Sequence, residues 1–426
     1  MYDKKMETMK LEDIKKLQLE RLKVSVKRSY DTVPLYTRLL KEKGITPSDI
    51  KSLDDVAKLP FTVKNDLRDH YPYGILGVPI EEINRFHASS GTTGKPTVVG
   101  YNSKDLNDWY DLMARCYGTT GATSKDIVQN AYGYGLFTGG LGFHGGAERL
   151  GCAVIPTATG NTKRQLMVMK DMQSSVLCCT PSYALYLAEA AKTEGLDPLK
   201  DFAIERGVFG AEPWSDGMRK EIEKAFGMKA FDMYGMSELY GPGVAIECEA
   251  QDGLHVWGDY FYAEIIDPET EEVLEPGQKG ELVVTTLIRE AMPLIRYRTR
   301  DITVLNEDEC ECGRCHPRIM RIGGRTDDML IVGGVNVFPS QIEHVITQVP
   351  GASPNYQIVI DRELLDKLVI KIEASEGTKP SPDLERALTD GIQSILGIKA
   401  KVDLVEFGEL PRSEGKAQRI VDLRKE

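Results

Sequence analysis

Apolar residues recur at helical spacing near the start of the chain. Leu11, Ile14, Leu17, Leu22 and Val26 fall along one stripe, so residues 10–45 read as helices. The run LPFTVKNDLRDHYPYG follows, where Pro60 and Thr62 suggest a capped helix start. From about residue 83 to 300 short apolar, β-like runs alternate with helical ones: INRFHAS, TVVGY, DIVQNAYG, CAVIPTA, SVLCCTP, GVFGAE and KAFDMYG. That alternation predicts an α/β fold with substantially parallel sheets. HVWGDYFYAEIID and GELVVTTL then mark a β-rich region, with the turn-rich PETEEVLEPGQKG between them. After GRTDD the pattern restarts. DMLIVGG reads as a strand, PSQIEHVITQV as a helix, NYQIVIDRELLDKLVIKIEA as a β-hairpin and SPDLERALTDGIQSIL as a helix. The expected organisation is a large N-terminal α/β domain over 1–325, carrying the β-rich subdomain, and a small α+β domain over 326–426.

Composition changes this picture little. A formal charge of -12 argues against a basic surface for nucleic acid, while leaving room for a local basic groove. The charged, amphipathic N-terminus has no apolar core of a signal peptide, and no stretch approaches the length of a membrane helix, so a cytoplasmic protein is expected, with no membrane partner. The eight cysteines then read as reduced thiols or metal ligands. Cys116, Cys152, Cys178 and Cys179 sit in apolar surroundings, as small core residues do.

SSGTTGKPT, from Ser89 to Thr97, carries the strongest chemical signal. Gly91 and Gly94 let the backbone bend so that successive N–H groups face one anion. The hydroxyls of Ser89, Ser90, Thr92 and Thr93 add donors, and Lys95 adds charge. It is not the Walker A pattern, because Ser89 stands where the first glycine belongs and Pro96 where a Ser or Thr follows the lysine. The plain alternative is a polar hairpin turn.

This loop resembles the phosphate loop of the adenylate-forming superfamily, which holds acyl-CoA synthetases, peptide-synthetase adenylation domains and luciferases. Further motifs follow in that superfamily's order: GAEP at Gly210–Pro213, YGMSE at Tyr234–Glu238, YRTRD at Tyr297–Asp301, GRTDDMLIVGGVNVFPSQIE at Gly324–Glu343 and LPRSEGKAQR at Leu410–Arg419. The short chain, GGVNVFPSQIE and NAYGYGLFTGG resemble the phenylacetate–CoA ligase family in particular.

The resemblance implies two half-reactions. A carboxylate attacks the α-phosphate of ATP to give acyl-AMP and pyrophosphate, and the CoA thiol then displaces AMP. Such chemistry needs charge neutralisation and alignment more than a nucleophilic side chain. The implied roles are Ser89–Gly94 and Lys95 on the β- and γ-phosphates and Glu238 on Mg²⁺, a hard cation that prefers oxygen. Gly210, Ala211, Glu212 and Pro213 would line the adenine, with Tyr234 stacking on it; Asp301 would accept from the ribose hydroxyls, and Arg325 would contact the nucleotide. Lys416 is the implied catalytic lysine, reaching from a mobile C-terminal domain to the carboxylate and α-phosphate. Asp327 is the implied hinge, and Gly333 and Gly334 would approach the pantetheine arm of CoA. Tyr132, Tyr134, Phe137 and Phe143 fall on the implied acid-pocket wall, where a flat arylacetic acid would suit them; they serve equally as ordinary core aromatics.

A second constellation is Cys248, His255, Cys310, Cys312, Cys315 and His316, from ECEAQDGLH and CECGRCH. Zinc takes four N/S ligands, often two from each of two knuckles. The resemblance favours Cys248, His255, Cys310 and Cys312, with Cys315 as a substitute, in a closed structural site. CGRCH also fits c-type haem attachment, which the expected cytoplasmic location disfavours.

The expected cofactors and partners are therefore ATP, Mg²⁺, CoA, structural Zn²⁺ and an arylacetic acid, with a homodimer kept open. Two alternatives stand beside this reading. An adenylating enzyme could use an amine or a carrier protein as acceptor. GLGFHG (Gly140–Gly145) formally fits the GxGxxG of an NAD(P)-dependent oxidoreductase, although GYGLFTG separates it from the preceding strand.

Overall fold

The computed structural model describes residues 1–89, 96–326, 330–332, 335–362, 366–398, 400–413 and 419–423. The N-terminal stripe forms helices Leu11–Thr32 and Pro34–Glu42, with Ile14, Leu22 and Val26 fully buried. At LPFTVKND the helix starts later than expected, at Lys64. Asp66 caps it by accepting from the Val63 N–H at 2.8 Å, while Thr62 turns inward to the carbonyl of Ile295 at 2.6 Å. A threonine engaged 233 residues away is not available as a cap.

Among the described residues, twelve strands make one large sheet. Ala153–Ile155, Ile127–Asn130, Val176–Cys179, Arg206–Gly210 and Lys229–Met236 run parallel. From Gly241–Glu247 onward the remaining long strands are antiparallel, ending with Phe261–Ile266, Lys279–Thr286 and Tyr297–Asn306. This second half is the β-rich region read from the sequence, and PETEEVLEPGQKG is its hairpin connection. Arg85–Ala88 and Val98–Tyr101 stay out of this sheet and pair with each other. The nine residues between them suffice for an antiparallel hairpin but not for a parallel crossover.

Helices cover both faces of the parallel half. Ser103–Thr119 and Thr138–Leu150 pack together so closely that a Cβ on Gly145 would meet Tyr110 at 2.1 Å and one on Gly146 would meet Met113 at 2.1 Å. Those glycines are needed for helix approach. Gly140, Gly142 and Gly145 thus lie within a helix rather than in a strand-to-helix turn, which removes the dinucleotide-binding alternative. Cys116, Cys152, Cys178 and Cys179 are buried as expected.

Beyond residue 330 a four-stranded sheet contains Ala352–Arg362, Asp366–Ala374, Lys401–Val405 and Ile420–Asp422. Helices Pro339–Gln348 and Pro382–Leu396 pack on it around a separate core that includes Ile358, Ile370, Leu388 and Ile392. This is the expected small α+β unit. No helix among the described residues is long and apolar enough to cross a membrane.

Candidate functional site

Parallel strands place their loops at one edge, the carboxyl ends, and α/β proteins bind ligands there. Three strand ends meet around Tyr132. Its hydroxyl donates to the Cys179 carbonyl at 2.5 Å and lies 3.3 Å from that of Gly210. Gly210 ends its strand where a Cβ would stand 2.4 Å from the Met233 carbonyl oxygen, so only glycine fits. Ala211 follows at a φ of 69°, turning the loop outward, and Glu212 accepts from the Ser182 N–H at 2.8 Å. The GAEP segment is thereby fixed as a rigid wall beside the helix Pro181–Thr193.

Tyr234, Asp301 and Arg325 come together as the motifs implied. Asp301 is directly opposite Arg325 in a short antiparallel pairing. Arg325 Nη1 donates to Asp301 Oδ1 at 3.1 Å, and the Tyr234 hydroxyl donates to Oδ2 at 2.6 Å. Burial, followed by the charge of Asp301, pushes the Tyr234 phenol well above its ordinary pKa, so it remains a donor. A carboxylate has about four acceptor directions and can take several donors at once.

Glu238 sits on the short turn Ser237–Leu239 and is 2% exposed. Its Oε1 faces the Lys64 ammonium at 3.7 Å and makes no hydrogen bond among the described residues. A buried carboxylate oxygen in that condition suits a hard cation. Two residues of this corner were missed by sequence reasoning. Lys64 opens a helix, where a cation opposes the helix dipole, and that mismatch was a readable signal. Arg289 is fully buried between the rings of Tyr101 and Tyr240, at 4.8 and 5.0 Å. It donates to the backbone carbonyls of Glu238 and Gly100, and so fixes the turn that carries Glu238.

The stem of the phosphate loop is closed by Ser89 N–H to the Thr97 carbonyl at 3.0 Å and Thr97 N–H to Ser89 Oγ at 3.2 Å. Ala88 N–H bonds the Leu136 carbonyl, which brings the stem beside the aromatic segment. Ser90, Gly91, Thr92, Thr93, Gly94, Lys95, Asp327, Gly333, Gly334 and Lys416 lie outside the described residues.

The four aromatics expected on the acid wall divide. Tyr132 and Phe143 are buried and stacked, with ring centroids 4.4 Å apart. Tyr134 is half-buried, its hydroxyl taking the Asn130 amide at 2.8 Å and standing 3.1 Å from His144 Nδ1. Phe137 is 41% exposed at the start of the Gly-rich helix.

The second constellation also assembles. One ligand atom from each of Cys248, His255, Cys310 and Cys312 lies within 4.8 Å of the others. Cys248 and Cys310 sulfurs are 3.6 Å apart, and Cys312 Sγ is 3.3 Å from His255 Nε2. His255 Nδ1 stands 3.3 Å from the His316 carbonyl oxygen, and donating there leaves Nε2 free to act as a ligand. Cys315 is outside this group. His316 has both ring nitrogens engaged, Nδ1 accepting from the Gly258 N–H at 3.0 Å and Nε2 against the Met6 carbonyl at 2.9 Å. Three sulfurs and one imidazole nitrogen this close together make a soft donor set of the composition zinc takes.

The AMP-binding enzyme family matches residues 86–287, and the AMP-binding enzyme C-terminal domain matches residues 334–424. The chain is 47% identical to the phenylacetate-coenzyme A ligase of Thermus thermophilus, over 100% of both chains. It is 49% identical to that of Pseudomonas putida, over 98% of this chain and 96% of the relative. Among solved structures, 2-hydroxyisobutyryl-CoA ligase in the postadenylation state with 2-HIB-AMP is similar, at 33% identity and a TM-score of 0.93, over 99% of this chain and 92% of that one. The same ligase with 2-HIB-AMP and CoA in the thioesterification state gives a TM-score of 0.74 at 34% identity, over 98% and 91%.

Proposed function

The chain belongs to the phenylacetate-coenzyme A ligase family of AMP-binding enzymes and is an AMP-forming acid–thiol ligase, and from that premise we propose that its acid is an arylacetate such as phenylacetate. It uses ATP and CoA in two steps, adenylation and then thioester formation. What carries the arylacetate reading is the 47–49% full-length identity to phenylacetate-coenzyme A ligases, with the segment of Tyr134 and Phe137 brought beside the phosphate-loop stem by the Ala88–Leu136 bond, while Tyr132 and Phe143 stack in the core behind it. A flat ring is the shape such a wall accepts.

The residues divide the adenylation work by position. The Gly210–Pro213 wall and Tyr234 flank the base, and Asp301, oriented by Arg325 and Tyr234, accepts the ribose hydroxyls. The loop closed by Ser89 and Thr97 cradles the outer phosphates, with Lys95 among them. Glu238, held by Arg289 through its backbone, would hold Mg²⁺, whose charge favours attack at phosphorus. Lys416 supplies charge to the acid and α-phosphate in this half-reaction. The C-terminal unit, taken from residue 326 with its hinge at Asp327, then turns so that Gly333 and Gly334 guide the thiol.

Zn²⁺ is the ion we assign to Cys248, His255, Cys310 and Cys312. Four protein ligands leave no open position, so its role is to tie the segments around residues 248–255 and 310–312 together. The eight unpaired cysteines support a cytoplasmic location.

Acid-dependent exchange of labelled pyrophosphate into ATP tests the substrate reading. Burying one ring contributes on the order of 2 kcal/mol beyond acetate, or about 30-fold. Phenylacetate should therefore exceed acetate in kcat/KM, and a wall shaped to a flat ring should also place it above long straight-chain acids. A preference for the straight-chain acids would remove the arylacetate reading and leave the ligase assignment intact.

A further inference from the structure

One polar contact between the C-terminal unit and the large sheet domain is built unlike a surface ion pair. Glu343, on the helix Pro339–Gln348, is 4% exposed. Its Oε1 accepts the backbone N–H of Ser215 at 2.9 Å. Its Oε2 accepts the Tyr356 hydroxyl at 3.3 Å and a guanidinium N–H of Arg419. Arg419 in turn lies over the Tyr356 ring at 4.5 Å, and Glu212 of the adenine-side loop adds its charge to the field there.

The two ends of this contact are placed next to the chemistry. Ser215 is the N-cap of helix Asp216–Phe226, two residues beyond Pro213 of the adenine wall. Arg419 is three residues beyond Lys416. One carboxylate therefore links the nucleotide wall to the base of the lysine segment. It sits at the positive end of a helix dipole, is bonded on both oxygens, and is screened from water. Exposing it would leave both the carboxylate and the Ser215 N–H in need of new partners. By contrast, the interunit pair Lys192–Glu376, at 3.2 Å, is 60% exposed on both sides and contributes little, and the pair Arg412–Glu189, at 3.0 Å, is only part-buried.

The comparison with one relative in two states bears on this directly. The chain overlays the postadenylation state at a TM-score of 0.93 and the thioesterification state at 0.74, with nearly the same identity. A different placement of one unit of about a quarter of the chain is large enough to give a fall of that size. We propose that Glu343 is a positioning residue, the latch that holds the C-terminal unit in the adenylating arrangement, and that its bond to Ser215 breaks before the thiol step. This rests on the reading that the two half-reactions use two arrangements of the C-terminal unit.

The test separates the half-reactions in the full-length enzyme. Adenylation is read by pyrophosphate exchange with phenylacetate, and thioester formation by supplying phenylacetyl-AMP and CoA. Glu343→Gln removes the charge; Ser215→Pro removes the N–H together with the cap that Ser215 Oγ gives the Met218 N–H at 3.2 Å, a loss that Ser215→Ala measures separately, and leaves the C-terminal unit untouched. Glu343→Gln and Ser215→Pro should each slow exchange about tenfold, the loss expected for one hydrogen bond to a charged group, and leave thioester formation unchanged or faster. Glu376→Gln should match wild type in both assays. Equal slowing of both half-reactions, or exchange unchanged in either folded variant, overturns the latch. If Glu343→Gln does not fold, Ser215→Pro decides alone. Lys416→Ala measured alongside guards the underlying reading: if it spares exchange, the two-arrangement scheme has failed, whatever Glu343 shows.

Discussion

Replacing Asp301 by Asn changes charge with almost no change of shape, at the point where three elements converge. The carboxylate takes the Tyr234 hydroxyl at 2.6 Å and Arg325 at 3.1 Å, and it would take the ribose hydroxyls as well. Hydrogen bonds to charged groups contribute about 1.5–3 kcal/mol each, and roughly half of that survives when the acceptor is neutral. For two ribose hydroxyls the loss is about 1.5–3 kcal/mol, or roughly 10- to 150-fold in kcat/KM for ATP. The Tyr234 and Arg325 bonds weaken too, so a lower melting temperature is expected and lost activity alone does not identify the role. The discriminating assay compares ATP with 3′-deoxy-ATP in pyrophosphate exchange. Wild type should prefer ATP by about tenfold, and Asp301→Asn by less than about threefold, because the partner of the missing hydroxyl has already been weakened. A variant that keeps the full wild-type preference would refute the assignment of Asp301 to the ribose.

Two further outcomes follow from the same structure. Lys416→Ala should slow acyl-adenylate formation by at least about 100-fold, on the scale of removing one preorganised transition-state donor, while a supplied acyl-adenylate is still converted to thioester; equal loss in both steps would contradict its assignment to one half-reaction. Cys310→Ser should lower metal content and melting temperature more than it lowers the turnover of folded enzyme, because the Cys3His set has no open position. Elemental analysis finding no transition metal in wild-type protein prepared without chelator would remove the zinc site.

Local pattern made much of this architecture readable. The parallel strands were visible as apolar runs flanked by turn residues, and the phosphate-loop stem as a dense Gly and hydroxyl segment. The C-terminal α+β unit was visible as a restarted pattern. The motif order brought Tyr234, Asp301 and Arg325 to one place, and Cys248, His255, Cys310 and Cys312 to another. Contacts that local pattern cannot encode were not readable. Thr62 reads as a helix cap until Ile295 claims its hydroxyl. Arg289 stands beside Glu290 in an otherwise apolar run and reads as half of a surface pair, and only the fold brings the Gly100 and Glu238 carbonyls to its guanidinium. The Gly-rich segment after Tyr132 looked like a ligand loop, yet several of its glycines serve the approach of two helices. Cys315 and His316 were chemically credible ligands. For His316 the bonds to Met6 and Gly258, made from distant segments, fill both nitrogens instead.

The proposed reaction joins an arylacetic acid to CoA through an acyl-adenylate. Mass spectrometry of one reaction mixture tests it most directly: purified protein, ATP, Mg²⁺, CoA and phenylacetate, with CoA then omitted in a parallel sample. The complete mixture should give phenylacetyl-CoA and AMP in equal amounts, and the sample without CoA should give enzyme-bound phenylacetyl-AMP with pyrophosphate. ADP in place of AMP, or no acyl-adenylate from any arylacetate tried, would contradict the proposed reaction.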